Sequence, residues 1–227
     1  MKALKTALRN LFKRLGYEVR KIHDFGYENA IIYNQQQAVN AYYADEKLVQ
    51  HYVDTEVEAQ LSNIKYWLGA FTIDLSSKKV LDAACGTGHA LKLFGKLFPT
   101  AQLFGTEYTA ASLQLAKQLN RNAEIVLLDI YDNWDGRTFD AIFCQLVLEH
   151  LEYPEKSVLT LWSMLENGGF LYLSVPDGRQ DNFTGHIHFW SEESLLLFLK
   201  AHLPKNTSLQ VGLLPDTLTL FAYIRKD

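Results

Sequence analysis

The pattern of apolar and polar residues changes near Lys78. Beyond it, short apolar runs alternate with segments in which apolar residues recur every three or four positions. The runs are typical of buried strands and the segments of amphipathic helices. Strands are predicted at 80–85, 101–107, 124–129, 139–146 and 169–175, and helices near 88–98, 109–120, 154–166 and 191–201. This alternation predicts parallel strands joined by right-handed crossovers, in a sheet covered on both faces.

The end of the chain breaks this alternation. Two further strands are predicted at 208–214 and 217–224, with only Pro215 and Asp216 between them. A connection this short joins antiparallel neighbours. The pattern therefore predicts an α/β fold whose mostly parallel sheet ends in an antiparallel pair.

The beginning of the chain is basic, whereas the rest is acidic. Residues 1–22 hold seven basic residues and one acidic residue, a local charge of +6 that leaves −10 on the rest of a chain with net charge −4. Leucines at helical spacing make this segment a predicted amphipathic helix. Such a helix suits peripheral contact with an anionic membrane, or capping of the chain's own core or of a dimer partner. The acidic body argues against broad contact with nucleic acid.

Between this helix and the alternating region, the sequence predicts a lid or flanking segment. Residues 23–52 follow no single period, and a helix is predicted from Thr55 to Phe71, with Asp54 or Thr55 as its N-cap. We therefore divide the chain into a basic helix and lid at residues 1–53 and a main domain at residues 54–227.

The composition bounds the location of the protein. No apolar stretch has the length of a membrane-spanning helix, and the N-terminus lacks a secretory signal. Cys85 and Cys144 match no zinc or disulfide framework. We expect a cytoplasmic protein, with any contact at the inner membrane face made by residues 1–22.

The most informative motif is VLDAACGTGHA at residues 80–90, where a strand turns into a helix through Gly86 and Gly88. Glycines there let the backbone approach a ligand closely, and the helix N-terminus attracts anionic groups. Dinucleotide enzymes share such a turn, but they place Gly or Ala where this chain has Leu91. Asp82, four residues before Gly86, suits a cationic amino group, and Glu107 ends the next strand where an acid bridges a ribose diol.

With these residues in place, the chain resembles the class I S-adenosylmethionine (SAM)-dependent methyltransferases over roughly residues 54–225. The likeness rests on the glycine motif, on LFGTEYTAASLQLAK, on IVLLDIYD, and on FDAIFCQLVLEHLEYPEKSVLTLWSMLENGGFLYLSVPD. It implies a Rossmann-like, doubly wound, mostly parallel seven-stranded sheet with an antiparallel terminal strand, preceded by an N-terminal helical segment. It also implies SAM as the cofactor.

The resemblance assigns cofactor contacts residue by residue. The glycine motif would line the methionine half of SAM, Glu107 would take both ribose hydroxyls, and Asp129 would accept from the adenine amino group, with Ile130 beside the ring. The full set that it implies is Asp82, Ala84, Gly86, Gly88, Glu107, Tyr108, Asp129, Ile130 and Gln145.

The acceptor side is less defined. Glu149-His150 is similar to a pair found in many small-molecule members of the family, and His186 and His188 alternate along an extended segment. If the acceptor is a hydroxyl, a histidine is the natural base, and His150, His186 and His188 remain candidates. No metal is predicted, because these histidines have no ligand spacing with Glu149 or Asp177. Tyrosines 42, 43 and 52 are candidates to close over the cofactor or the acceptor.

The predicted reaction is methyl transfer to a small-molecule or glycan acceptor at oxygen. The opening LFKRLGYEVRKI resembles that of bacterial methyltransferases encoded with polysaccharide-assembly enzymes, which implies a sugar or lipid-linked glycan as the partner. Two alternatives stay open at this point. One is an NAD-dependent oxidoreductase, and the other is a catalytically silent scaffold that binds the cofactor. A nucleic-acid substrate is not favoured.

Overall fold

The computed structural model describes residues 27–227. The basic helix predicted at residues 1–22, with its membrane and dimer contacts, lies outside the described residues. Among the described residues, no helix combines the length and the apolar character needed to cross a bilayer.

A single sheet of seven strands organises the described chain, in the order β3-β2-β1-β4-β5-β7-β6. The first five strands run parallel, whereas β7 is antiparallel to both β5 and β6. The strands are β1 Lys79–Ala83, β2 Gln102–Glu107, β3 Glu124–Leu127, β4 Phe139–Gln145, β5 Leu165–Pro176, β6 Ser208–Leu213 and β7 Thr219–Arg225. The predicted fold class is confirmed. The antiparallel β7 also separates this fold from the dinucleotide-binding order 3-2-1-4-5-6.

Helices precede the sheet and connect its strands. They are α1 Tyr27–Tyr33, α2 Gln36–Ala44, α3 Glu46–Tyr52, α4 Glu58–Ala70, α5 His89–Leu97, α6 Ala110–Leu119, α7 Pro154–Ser163 and α8 Glu192–His202. A π-helical turn, Val53–Val57, joins α3 to α4, and a 3₁₀ turn, Leu148–His150, follows β4.

Three predicted boundaries are wrong by three residues or more. The helix expected to begin at Thr55 runs on from α3, because the side chain of Asp45 caps that helix at the backbone N–H groups of Lys47 and Leu48. The helix expected to end at 166 stops at Ser163. Leu165 is buried and pairs with Phe139, so β5 begins four residues earlier than predicted.

Both faces of the sheet are covered, which explains why the strands read as continuous apolar runs. Successive residues of β4 belong to different cores, Ile142 to one and Phe143 to the other. In the second core, α4 buries Trp67 completely, with its ring centroid 4.4 Å from that of Tyr172. The packing on both faces holds the strands in place. The cleft described below lies at the carboxyl ends of the parallel strands.

Candidate active site

A cleft of about 1140 Å³ lies at the carboxyl ends of β1, β2 and β4, beneath the flank helices α1–α3. The strand order reverses between β1 and β4, so the cleft sits at the switch point where open α/β sheets bind ligands. All nine predicted cofactor residues cluster at this edge of the sheet, and eight of them line the cleft, the exception being Gly88.

The glycine turn after β1 needs its glycines for two different reasons. Ala84, Gly86 and Gly88 all have positive φ, at 55°, 51° and 79°. A Cβ on Gly88 would lie 2.6 Å from Nδ2 of Asn120, whose side chain donates to the Gly88 carbonyl at 2.8 Å. Gly88 therefore allows α6 to pack closely, whereas Gly86 faces the cleft.

Glu107 ties the glycine turn to the end of β2. Its Oε2 accepts from the Gly86 N–H at 3.0 Å, and its Oε1 accepts from the Thr109 N–H and hydroxyl, both at 3.0 Å. A carboxylate offers about four acceptor positions, so one stays open on Oε2. The Thr109 hydroxyl also contacts Ser112, and turning its proton there opens a second position. Glu107 can therefore meet a diol without losing its backbone anchors.

Asp82 lies at the base of the cleft, 3% exposed. Burial raises the pKa of its carboxyl to about 7, against a lowering hydrogen bond from Gln145, and the nearby Glu107 adds to the rise. No cation among the described residues pairs with this group. A buried carboxyl of this kind is suited to a ligand that brings a positive charge.

The third wall of the cleft is formed where β3 ends. Asp129 is exposed to the cleft, and its side chain accepts from the Tyr131 N–H at 3.0 Å, while Ile130 is 8% exposed beside it. Across from them lies Tyr108. Burial and the charge of Glu107 raise the pKa of its hydroxyl, so it stays a neutral donor.

The flank helices lie over the cleft and carry the three tyrosines that the sequence analysis singled out. Tyr43 and Tyr52 both line it, and the hydroxyl of Tyr43 lies 3.7 Å from where a Cβ on Gly86 would stand. No sequence pattern indicates which contacts hold this cover on the cleft. Asn40 accepts from the N–H of Ala111 at 3.0 Å, in the first turn of α6, and Gln36 donates to the carbonyl of Tyr108.

The acceptor end of the cleft holds Glu149, His150 and His186. One candidate ligand atom from each lies within 4.8 Å of the others. Burial, with a further contribution from Asp181, raises the pKa of Glu149 to about 8. Burial and the neighbouring His186 lower the pKa of His150 to about 4. The cluster forms because the backbone N–H groups of Ile187 and His188 both donate to the carbonyl of Glu149.

Of the three histidine candidates, the structure brings two together. The rings of His150 and His186 are 4.6 Å apart, and His186 pairs through Nδ1 with Asp181, a partner that the sequence analysis missed. Against the opposing effect of burial, this hydrogen bond keeps the pKa of Asp181 below its usual value. His188 does not line the cleft, and its ring stacks on Trp190. Asp177 is bound instead by Arg179.

The part of the chain that forms this cleft matches a known protein family. Residues 81–173 match the family model described as a methyltransferase domain, a range that spans β1 to β5 and holds the glycine turn, Glu107 and Asp129. Residues 81–173 carry a methyltransferase domain of the SAM-dependent type. Its type of cofactor is therefore SAM.

Curated relatives match this methyltransferase domain over part of their length. The chain is 30% identical over 105 residues to trans-aconitate 2-methyltransferase from Variovorax paradoxus (strain S110), covering 45% of this chain and 40% of that protein. It is 33% identical over 108 residues to the mitochondrial ubiquinone biosynthesis O-methyltransferase of Candida albicans, covering 44% and 33%. The chain thus matches less than half the length of each of these relatives.

Solved structures share the fold of the methyltransferase domain. The plantazolicin methyltransferase BpumL, in complex with S-adenosylhomocysteine (SAH) and a monoazolic desmethylPZN analog, aligns with TM-score 0.66 and 16% identity over 88% of this chain and 98% of its own. The DhpI–SAH complex aligns with TM-score 0.68 and 19% identity over 87% and 98%. These similarities concern the fold of the domain and do not assign its methyl acceptor.

Proposed function

We propose that this protein transfers the methyl group of SAM to a hydroxyl oxygen of an uncharged small-molecule or glycan acceptor. The observation that carries the proposal is the placement of three acids, Asp82, Glu107 and Asp129, at the ends of three adjacent strands in one cleft. Their order along the cleft matches the three polar parts of SAM. The volume of about 1140 Å³ exceeds the usual 300–1000 Å³ of a site for one ligand, so a second molecule has room.

In this proposal each acid recognises one part of the cofactor. Asp82 accepts from the amino group of the methionine half, which supplies the positive charge that this buried carboxyl lacks. Glu107 accepts from the ribose hydroxyls, and Asp129 accepts from the adenine amino group. Ile130 and Tyr108 flank the adenine ring, while Gln145 orients Asp82 through its hydrogen bond.

The chemical step needs orientation more than acid–base power. Bound SAM supplies a methyl group on a sulfonium, and the S–C bond breaks as the acceptor oxygen forms its bond to that carbon. The electron pair of that bond would stay on sulfur, and the hydroxyl proton would pass to a histidine at the acceptor end of the cleft or to water. Holding the two reactants in line can contribute about 7–11 kcal/mol. His150 and His186, at the acceptor end of the cleft, are the groups that we assign to activating the hydroxyl.

The charges around the cleft favour an uncharged acceptor. Among the described residues that line it there is no Lys or Arg, whereas seven are acidic: Asp45, Glu56, Asp82, Glu107, Asp129, Glu149 and Glu152. An anionic acceptor would meet like charges without a partner, which costs several kcal/mol. Tyrosines in the cover offer flat surfaces with hydroxyl groups, which suit a sugar or an aromatic alcohol.

A location in the cytoplasm, with residues 1–22 touching the inner membrane face, remains part of this proposal. Basic side chains near an anionic surface contribute about 1 kcal/mol each. The full chain should therefore sediment with anionic vesicles at low salt and not with neutral ones. Failure to bind anionic vesicles would remove the membrane contact from the proposal and leave the reaction untouched.

Calorimetric titration of the purified chain with SAH and with NAD tests the cofactor. We expect saturable binding of SAH alone. The variant Glu107→Ala should weaken it at least about 100-fold, because hydrogen bonds to a charged group contribute about 1.5–3 kcal/mol each. Glu124→Ala, which removes an exposed carboxylate from the far end of β3, is the matched control and should bind as the wild type does.

The remaining outcomes separate the alternatives. Binding of NAD in place of SAH would favour the oxidoreductase. SAH binding without methyl transfer to any of a panel of neutral hydroxyl acceptors, followed with isotopically labelled SAM, would favour the scaffold protein.

A further inference from the structure

We propose that Glu149, His150 and His186 bind a divalent metal cation of the zinc type at the acceptor end of the cleft. The metal site itself goes beyond the proposed function. The part that concerns the acceptor rests on that function, since it assigns how the acceptor oxygen is held. Three observations support the proposal, one for each ligand.

Glu149 is a buried carboxylate with nothing to bind. It is 1% exposed, and neither Oε1 nor Oε2 has a hydrogen-bond partner among the described residues. Buried carboxyl groups without partners are rare, because desolvation makes them costly. Its backbone carbonyl is fully used, since it accepts from both Ile187 and His188. The backbone of Glu149 is therefore anchored, while both of its side-chain oxygens stay available.

His150 contributes a free nitrogen from the next position of the same 3₁₀ turn. Its Nδ1 is buried and has no partner among the residues described. The ring has a hydrogen bond to the backbone of Gly185, and with Nδ1 unpaired that bond belongs to Nε2. A proton on Nε2 leaves a lone pair on Nδ1, which is the form in which imidazole binds metals.

His186 is oriented from behind by a carboxylate. Its Nδ1 donates to Asp181, and the two side chains are only 10% and 9% exposed. This pairing leaves the lone pair on Nε2, and the ring of His186 lies 4.6 Å from that of His150. Metal-bound histidines usually donate their other ring N–H to a carboxylate or a carbonyl in this way. Both histidines of the cluster have such a partner, Asp181 for one and Gly185 for the other.

The donor set indicates the kind of metal. Two imidazoles and one carboxylate are the three protein ligands of several catalytic zinc sites, which keep a fourth position open. Ligand atoms on tetrahedral zinc stand about 3.3 Å apart, given bonds of about 2.0–2.1 Å. The three atoms here lie within 4.8 Å of one another, so side-chain rotations that shift them by about 1 Å would close the site.

An open fourth position faces the cleft, where the acceptor hydroxyl is expected. A cation there binds the hydroxyl oxygen and lowers its pKa, so that the proton leaves to solvent before or during methyl transfer. His150 and His186 then activate the hydroxyl as metal ligands and not as bases. The positive charge also balances a cleft that is otherwise acidic.

Metal binding is tested on the full chain without any acceptor. After treatment with a chelator and its removal, the protein is titrated with Zn²⁺, Co²⁺ and Mg²⁺, and bound metal is counted by mass spectrometry. We expect one Zn²⁺ per chain and a visible Co²⁺ spectrum typical of four or five ligands. Mg²⁺ should not compete, since it avoids nitrogen ligands.

Variants identify the ligands. Glu149→Gln keeps the side-chain shape and should lower Zn²⁺ affinity more than about 100-fold, because removing a group that only orients a ligand already costs about 10–100-fold. Asp181→Asn, which alters such an orienting group, should fall in that lower range. His202→Gln is the control, since His202 lies on α8, outside the cleft, and bonds the Phe198 carbonyl.

SAH titration of the same samples separates this proposal from the proposed function. Protein that binds SAH but takes up no stoichiometric Zn²⁺ overturns the metal site and leaves methyl transfer standing. Equal Zn²⁺ affinity in Glu149→Gln and wild type, with SAH binding retained, also overturns it. Zn²⁺ binding without SAH binding supports the metal site and removes the methyltransferase proposal.

Discussion

Asp82 links cofactor binding to pH. Because its pKa is raised to about 7 by burial, this carboxyl carries a proton at lower pH and must release it to pair with an ammonium group. SAH affinity should therefore fall as pH drops below about 7, by close to tenfold per unit. Between about pH 7.5 and about pH 5.5 the expected loss is about 25-fold, measured by calorimetry in buffers of different ionisation enthalpy.

The variant Asp82→Asn serves as the control for this pH dependence. It cannot take up a proton, so its weaker SAH binding should stay constant across the same range. If the variant keeps the slope of the wild type, another group is responsible, and Asp82 does not meet the amino group.

Two effects disfavour a side chain at Gly88, its left-handed backbone and its close packing against α6. Gly136 shares only the first effect. Gly88→Ala places a side chain at φ 79°, and its Cβ would stand 3.0 Å from Cα of Ala116. Gly136→Ala meets the same left-handed backbone, φ 70°, with nothing within 4 Å. The backbone costs roughly 1–2 kcal/mol in both variants, and overpacking adds about 1–3 kcal/mol at Gly88 alone. Urea unfolding should place Gly88→Ala clearly below Gly136→Ala, and equal midpoints would contradict the packing argument.

For single residues, the distance along the sequence from a predicted strand end was enough to predict which acids line the cleft. Asp82, Glu107 and Asp129 could be assigned because acids at the ends of parallel strands meet at one edge of a sheet. The pairing of His186 with Asp181 could not, because it depends on how a loop of irregular backbone folds on the carbonyl of Glu149. Likewise His188 stacks on Trp190, since alternation along an extended segment does not hold in that loop.

Among the elements, the cover of the cleft depends on few contacts. The side chain of Asn40, on α2, accepts from a backbone N–H at the start of α6, where the side chain of the N-cap Thr109 does not cap the helix. Asn40→Ala should weaken the docking of α2 on the cleft by about 1 kcal/mol. The fraction of molecules in which α2 is open should then rise about fivefold. Hydrogen exchange across residues 36–44 should speed up by that factor while β4 and β5 stay protected.

Asn63→Ala is the matched control for the cover. Asn63 bonds Thr219 between α4 and β7, outside the cleft, so exchange in α2 should not change. Equal exchange in α2 for Asn40→Ala and the wild type would mean that other contacts hold the cover.

The three short helices of the flank were not predictable from periodicity. None of α1, α2 and α3 exceeds nine residues, and α2 and α3 bury no residue fully, so no apolar stripe marks them in the sequence. Of the three, α2 is held by side-chain bonds from Gln36 and Asn40 to Tyr108 and Ala111, tertiary contacts that a local pattern does not contain. In contrast, the helix predicted near 191–201 is found as α8, because the capping box that Ser191 forms at its start is local.

For the molecule as a whole, the sheet was predictable and the cleft only in part. Seven strands could be read from apolar runs because both faces of the sheet are buried, and the short connection between β6 and β7 fixed their antiparallel pairing. The acceptor end depends on three segments far apart in sequence, the flank, the turn after β4 and the loop after β5. Their meeting is a property of the folded chain.

The charge of the assembled cleft gives the last prediction. Seven acidic residues and no basic residue line it within the described chain, so acceptors should be selected by charge. The neutral ester of a hydroxy acid should be methylated with kcat/KM at least about 100-fold above that of the free hydroxy acid, because facing like charges costs several kcal/mol. Labelled SAM and a panel of paired acids and their neutral esters measure this directly. Raising the salt concentration should narrow the gap, since screening weakens repulsion between exposed charges more than it affects binding of a neutral acceptor. Preference for the acid in such pairs would contradict selection by the acidic lining and would agree with a cation bound by Glu149, His150 and His186.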